Sequence, residues 1–223
     1  MPRARGTVKY NPVKVILKDS HQPYSVLEAR RIPIPLLGKV RDEVSRLQDL
    51  GVIEAISEPT DWCSPIVPVL KKDGNIRLTI DFKHLNKAVK RERYMLPSLE
   101  DITHKLAGAT VFSKIDVTSA FFQLPLDPES GKKTTFITPF GRYFYKRLPQ
   151  GITSAPEIFQ RTMEEILDDH RDHTIVWFDD ILVYSKNNDD HNSDLSDTLV
   201  PLRGANVKLK EDKCEFRKEE VLP

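Results

Sequence analysis

Ile175-Val176-Trp177-Phe178-Asp179-Asp180-Ile181-Leu182-Val183-Tyr184 sets two adjacent acids between two apolar, β-branched runs. The pattern reads as strand, tight turn, strand, with both carboxylates presented at a hairpin tip. An Asp-Asp pair between strands is also ordinary turn chemistry, and a third carboxylate separates the two readings. Upstream, Thr110-Val111-Phe112-Ser113-Lys114-Ile115-Asp116 is a second short strand pattern that ends on an acid. A sheet that lays these strands side by side brings Asp116 together with Asp179. Oxygen ligands with no thiol or imidazole nearby in sequence suit a hard cation, Mg²⁺ or Mn²⁺. Two such ions bridging a phosphoryl group activate an attacking oxygen and stabilise a leaving one.

The rest of the chain frames that site. Its 223 residues, 39% hydrophobic and 30% charged, suffice for one sizeable core, or for a domain with a smaller lobe. A formal charge of +1 gives no global basic field, so any polyanion partner must be met by a local groove. Cys63 and Cys214 form neither a disulfide framework nor a zinc pattern. No apolar stretch has the length of a membrane span, and the basic N-terminus lacks the apolar core of a secretion signal, so cytosol or nucleus is expected.

Taken in order, Val13 to Leu17 reads as a short strand, and the prolines between Pro23 and Pro35 as extended chain. A helix follows Pro35, with Leu37, Val40, Val44, Leu47 and Leu50 on one face and Gly51 as its stop. Ile66–Leu70 and Ile76–Ile80 flank Lys71-Lys72-Asp73-Gly74-Asn75, a hairpin. Lys71, Lys72 and Arg77 are there either as cations able to reach a triphosphate or as a solvated basic turn. Asp81 to Lys87 reads as a turn and linker. Lys83, Lys87, Lys90, Arg91 and Arg93 make this the most basic stretch and a candidate contact for nucleic-acid phosphates.

Ser98 and Asp101 carry helix-capping chemistry for a helix that stops at Gly108. Beyond Asp116, Phe121 and Phe122 suit either a surface packed against a sugar or the core. Strand-like runs cover Thr134–Thr138 and Tyr143–Leu148. A helix from about Pro156 then turns Ile158, Phe159, Met163, Ile166 and Leu167 toward the acid-bearing sheet. Asp168 to His173, the only His-containing cluster, falls in a polar connection and reads as a solvated loop. His191 to Arg203 has partial helical periodicity that Pro201 is expected to end or kink. The order of elements predicts an α+β fold, an antiparallel sheet backed by helices with a second lobe around it.

These residues resemble the reverse transcriptases of Ty3/gypsy-like LTR retrotransposons. The likeness runs through Trp62-Cys63-Ser64-Pro65-Ile66-Val67, Tyr94-Met95-Leu96-Pro97, Val111 to Asp116, Thr135 to Gly141, Leu148 to Pro156, Phe178 to Ser185 and Lys213-Cys214-Glu215-Phe216. It implies a polymerase palm with a fingers lobe: fingers over 1–90 and 124–154, palm over 91–123 and 155–223. The family's thumb, connection and RNase H regions are expected to lie beyond this stretch.

The resemblance also implies roles. Asp116, Asp179 and Asp180 match the catalytic, metal-binding carboxylates, with Mg²⁺ as the ion and Mn²⁺ as a substitute. Lys71, Arg77, Phe121, Gln150 and Gly151 match residues around the incoming dNTP, Phe121 as the aromatic that disfavours a ribose 2′-hydroxyl. Trp177 stands where the family usually carries Tyr, beside the primer terminus, and with the basic stretch it is expected to meet nucleic acid. The implied reaction is attack of a primer 3′-oxygen on a dNTP α-phosphate over an RNA or DNA template. Without a thumb to clamp the duplex, poor primer extension is expected. A catalytically impaired relic acting as a nucleic-acid or protein interaction module is the competing reading, with a DNA-templated polymerase a further one.

Overall fold

The computed structural model describes residues 6–71, 74–177 and 180–220. Two compact units emerge. One contains 11–91 and 124–155, the other 6–10, 92–123 and 156–220. Among the described residues no helix is long and apolar enough to cross a membrane.

In the first unit, α1 (Ile34–Asp49) starts at the proline-stiffened segment, with Pro33 at its N-cap and Pro35 in its first turn, where a missing N–H costs nothing. Val40, Val44 and Leu47 are its buried stripe. The sheet comprises β1 (Ile53–Ala55), β2 (Ser64–Leu70), β3 (Ile76–Ile80), β5 (Phe136–Thr138) and β6 (Gly141–Tyr145), in the order β1-β6-β5-β2-β3. The expected β2–β3 hairpin forms with Ile66 opposite Ile80 and Leu70 opposite Ile76. Only β2 and β5 run parallel. The short helix α4 (Pro128–Lys133) is capped by Asp127, whose side chain accepts from Ser130 N–H.

Two expectations fail in this unit. Val13 to Leu17 is not a strand: Val13 bridges Leu126 and Leu17 bridges Val89, so the two ends of the run find different partners. Lys83–Ala88 is a helix, α2, rather than a linker. Leu85 and Ala88 are buried and the Asn86 N–H donates to the Phe82 carbonyl, so a few apolar anchors in a basic run fold it onto the core.

The second unit is built on an antiparallel sheet, β7 (Thr174–Trp177), β8 (Asp180–Ser185), β4 (Val111–Asp116) and β9 (Glu215–Lys218), in the order β7-β8-β4-β9. On β4 the alternation Val111, Ser113, Ile115 is buried, while Phe112, Lys114 and Asp116 are half-buried on the other face. Helix α5 (Ala155–Ile166) covers the sheet with Ile158, Phe159 and Met163 buried, and Gln160 Nε2 donates to the Val176 carbonyl of β7 at 2.7 Å. On its polar side, α5 holds the segment leading out of the basic stretch: Arg161 pairs with Glu92, and the Tyr94 hydroxyl donates to Glu164 at 2.6 Å. Burial and Glu164 push the Tyr94 phenol up to about 12. Helix α3 (Leu99–Lys105) has the complete Ser98–Asp101 capping box. The polar connection after α5 makes a 3₁₀ turn, Asp168–His170, with Arg171 paired to Asp168.

Helix α6 (Asn188–Gly204) continues past Pro201 rather than ending there. The proline lies in the last turn, so only the bond to the Asp197 carbonyl is forfeited. His191, Thr198 and Leu202, all buried, anchor the helix on either side. His191 is held by a directed chain of hydrogen bonds. The Ser185 hydroxyl donates to Asp194 at 2.6 Å and therefore accepts from His191 Nδ1 at 2.9 Å; Nε2, left as the acceptor, takes the Ser113 hydroxyl at 2.7 Å. Ser113 Oγ in turn accepts from the Arg217 N–H at 3.1 Å. The chain links β9, β4, α6 and β8 through groups that sequence separates widely.

Candidate functional site

Asp116 ends β4 and Asp180 begins β8, and the antiparallel register makes them direct partners. Direct partners in a ladder share a face, so two carboxylates stand side by side, each about a quarter to a third exposed (22% and 32%). Trp177 pairs with Asp180 across β7 and β8, so Asp180 is already within the strand rather than at the tip. Asp179, together with Phe178, lies outside the described residues, as do Lys72 and Asp73.

Each carboxylate has a cation beside it that sequence reading overlooked. Lys114 Nζ lies 2.8 Å from Asp180 Oδ2, and Lys213 Nζ 3.7 Å from Asp116 Oδ2. The bond to Asp180 raises the Lys114 pKa above its ordinary value, so its ammonium stays charged. The signal for Lys114 was present: two positions before Asp116 in an alternating strand is the same face. Lys213 and Glu215 carried no such signal, because only the pairing of β4 with β9, with Lys114 opposite Glu215, brings them there.

The backbone beyond Asp116 is fixed from the far end of the chain. Lys210 N–H donates to the Asp116 carbonyl at 2.9 Å and Thr118 N–H to the Lys208 carbonyl at 3.0 Å. Gln123, almost fully buried, completes the clamp. Its Nε2 donates to the carbonyls of Thr118 (2.7 Å) and Lys208 (2.9 Å), and its Oε1 accepts from Lys208 N–H (2.7 Å). No sequence signal singled out Gln123. It closes a 3₁₀ turn, Ala120–Gln123, that carries Phe121. Phe121 is half-buried and packs edge-to-face on Phe159 of α5, ring centres 5.8 Å apart at 82°. The ring is thus held by the core with part of its surface outside.

The remaining predicted residues belong to the first unit, apart from Arg93. The β2–β3 register puts Lys71 and Arg77 on one exposed face of the hairpin, closed by Lys71 N–H to the Asn75 carbonyl at 2.8 Å. Gln150 and Gly151 are exposed in a turn, Gly151 at φ +97°. Asn86 of α2 pins that turn, donating to the Gly151 carbonyl at 2.7 Å and accepting from Thr153 N–H at 2.9 Å. Lys83 and Lys87 project from α2 one turn apart, and Lys87 borders an open cleft of about 330 Å³ with Tyr24 and His84, whose rings stack 3.7 Å apart. Lys90, Arg91 and Arg93 are exposed along the chain that leaves α2.

The donor set suits a divalent cation. Asp116 and Asp180 offer adjacent, partly exposed oxygens on strands that fix their spacing, and each already has an ammonium within 4 Å, a stand-in for positive charge. The connection from Asp168 to His173, read as a solvated loop, is mostly exposed, and its His173 meets Asp194 at 3.7 Å.

The family model described as reverse transcriptase (RNA-dependent DNA polymerase) matches residues 69–222. The chain is 32% identical over 217 residues to the retrovirus-related Pol polyprotein from transposon 297 of Drosophila melanogaster, covering 95% of this chain and 20% of that protein. It is 34% identical over 198 residues to the transposon Tf2-3 polyprotein of Schizosaccharomyces pombe, covering 87% of this chain and 15% of that one. It therefore spans a fifth or less of these relatives. Among solved structures, the foamy viral protease-reverse transcriptase in complex with RNA/DNA hybrid superposes with a TM-score of 0.83 at 22% identity, covering 95% of this chain and 28% of that one. The same protein in complex with dsDNA gives 0.81, covering 99% and 45%. The four-stranded antiparallel sheet with its covering helices fits a polymerase palm, and the chain belongs to the reverse transcriptase (RNA-dependent DNA polymerase) family.

Proposed function

We propose that this chain is the polymerising domain of a transposon Pol polyprotein and transfers nucleotides from dNTPs to a primer 3′-hydroxyl, directed by an RNA template. The observation that carries this reading is the pairing of Asp116 with Asp180, two carboxylates fixed at adjoining strand ends. In this reading Asp179, next to Asp180 in the sequence, is the third acid. Residues 1–90 and 124–154 act as fingers, and 91–123 and 155–223 as palm.

When bound at these carboxylates, two Mg²⁺ ions would supply activation of the primer hydroxyl and neutralisation of the phosphates. The chain's own side chains do the rest. Lys71 and Arg77, on one face of their hairpin, bind the triphosphate by charge. Phe121, braced by Phe159, occupies the space a ribose 2′-hydroxyl would need. The Gln150–Gly151 turn, pinned by Asn86, receives the nucleotide. Lys83, Lys87, Lys90, Arg91 and Arg93 meet backbone phosphates, and Trp177 the primer end. Sequence is read by base pairing, shape and charge by the protein.

Single-nucleotide incorporation on a primed RNA template, with Mg²⁺ or Mn²⁺, tests the proposal without depending on processivity. Incorporation that disappears in Asp116→Asn while circular dichroism is unchanged supports it. A folded protein that incorporates nothing under either ion overturns it and favours the interaction-module reading.

A further inference from the structure

Building on the carboxylate site proposed above, we infer that Lys114 is its resident counterion, a side chain that competes with divalent cations for Asp180 and so sets the site's cation affinity. Lys114 and Asp116 alternate on β4 and share its outer face. Across one neighbour stands Asp180, across the other Glu215, the register partner of Lys114. One ammonium thus contacts Asp180, with Asp116 two positions along its own strand and Glu215 opposite it on the next.

Its contact with Asp180, at 2.8 Å, is both an ion pair and a hydrogen bond, and it engages an oxygen that a cation would require. The pair is about one-third exposed on each side (35% and 32%), so the ammonium can leave for water on its flexible stem without opening the core. Asp116 has a looser companion in Lys213, 3.7 Å away and 57% exposed. The two acids therefore differ: an incoming cation meets Asp116 almost free, and Asp180 only after Lys114 lets go. Without a cation, Lys114 also relieves the repulsion between carboxylates placed directly opposite each other.

Mn²⁺ binding, followed by the loss of the free-ion electron paramagnetic resonance signal, tests the inference on the full chain. Lys114→Met keeps the stem and removes the charge; it should bind Mn²⁺ about three- to tenfold tighter, whereas Lys114→Arg should stay within about twofold of the parent. The gain should vanish in an Asp180→Asn background, and Lys213→Met should give a smaller one. Metal-free Lys114→Met should melt lower than the parent and recover more on adding Mn²⁺. Should Lys114→Met fail to fold, Lys114→Gln carries the same expectation. Unchanged or weaker binding in the neutral variants, with the parent binding normally, overturns the role of Lys114 and leaves the carboxylate site standing. Parent binding that is absent, or indifferent to Asp116→Asn, overturns the site itself and this inference with it.

Discussion

Asp116 and Asp180 face each other as register partners at the joined ends of β4 and β8. Like charges so placed, 22% and 32% exposed, repel each other and cost stability unless a cation offsets them. Asp116→Asn and Asp180→Asn should each reduce nucleotide incorporation at least about a hundredfold. Neither should lower the melting temperature, which differential scanning fluorimetry would check; a large drop in stability would give the acids a structural role.

The buried chain around His191 makes stability depend on pH. Burial holds the imidazole pKa below its ordinary 6.5, with Asp194 opposing and Arg217 reinforcing the shift. The unfolded chain therefore binds a proton more readily than the folded one. Stability is full above about pH 6.5 and declines as pH falls through the lower folded value. His191→Gln should be less stable than the parent at neutral pH, yet should lose less on going from about pH 7 to about pH 5. Denaturant titrations at both values decide; parallel losses would refute the assignment.

Ser113→Ala isolates a different part of the same chain. It leaves both the Arg217 N–H and His191 Nε2 without their hydroxyl partner. The expected cost is about 1–3 kcal/mol by urea unfolding, and amide exchange on β9 should rise first, since Ser113 adds a side-chain bond to its pairing with β4.

Pro201→Ala should stabilise. The substitution restores a donor to the Asp197 carbonyl within a helix whose flanking residues are already fixed by burial. A gain of roughly 1–3 kcal/mol is expected, with incorporation kinetics unchanged. A loss would mean that the helix geometry depends on the proline.

Asn86→Ala tests the turn that carries Gln150 and Gly151. Removing both bonds loosens it, and KM for dNTP should rise roughly threefold or more with little change in kcat. Gly151→Ala should cost about 1–2 kcal/mol through its positive φ. Its Cβ would meet Phe82 only at 3.6 Å, so strain and not collision sets that cost.

Local pattern carried the strands that bear Asp116 and Asp180, the Ser98–Asp101 cap, the β2–β3 hairpin and the apolar faces of α1 and α5. Period and capping chemistry are written in residues a few positions apart. Helix α2 and the passage of α6 through Pro201 were misread because a few buried contacts, Leu85 in one and His191, Thr198 and Leu202 in the other, outweighed local propensity.

The sequence by itself determined the acids, their strands and the family they resemble. Only the tertiary structure decided which side chains surround the acids. Lys213 and Glu215 reach them through the pairing of β4 with β9, Gln123 clamps the Asp116 loop to Lys208, and Ser113 finds His191 on α6. Such neighbours follow from strand register and helix docking, which are fixed by burying the whole sheet face at once and leave no periodic trace in any one segment.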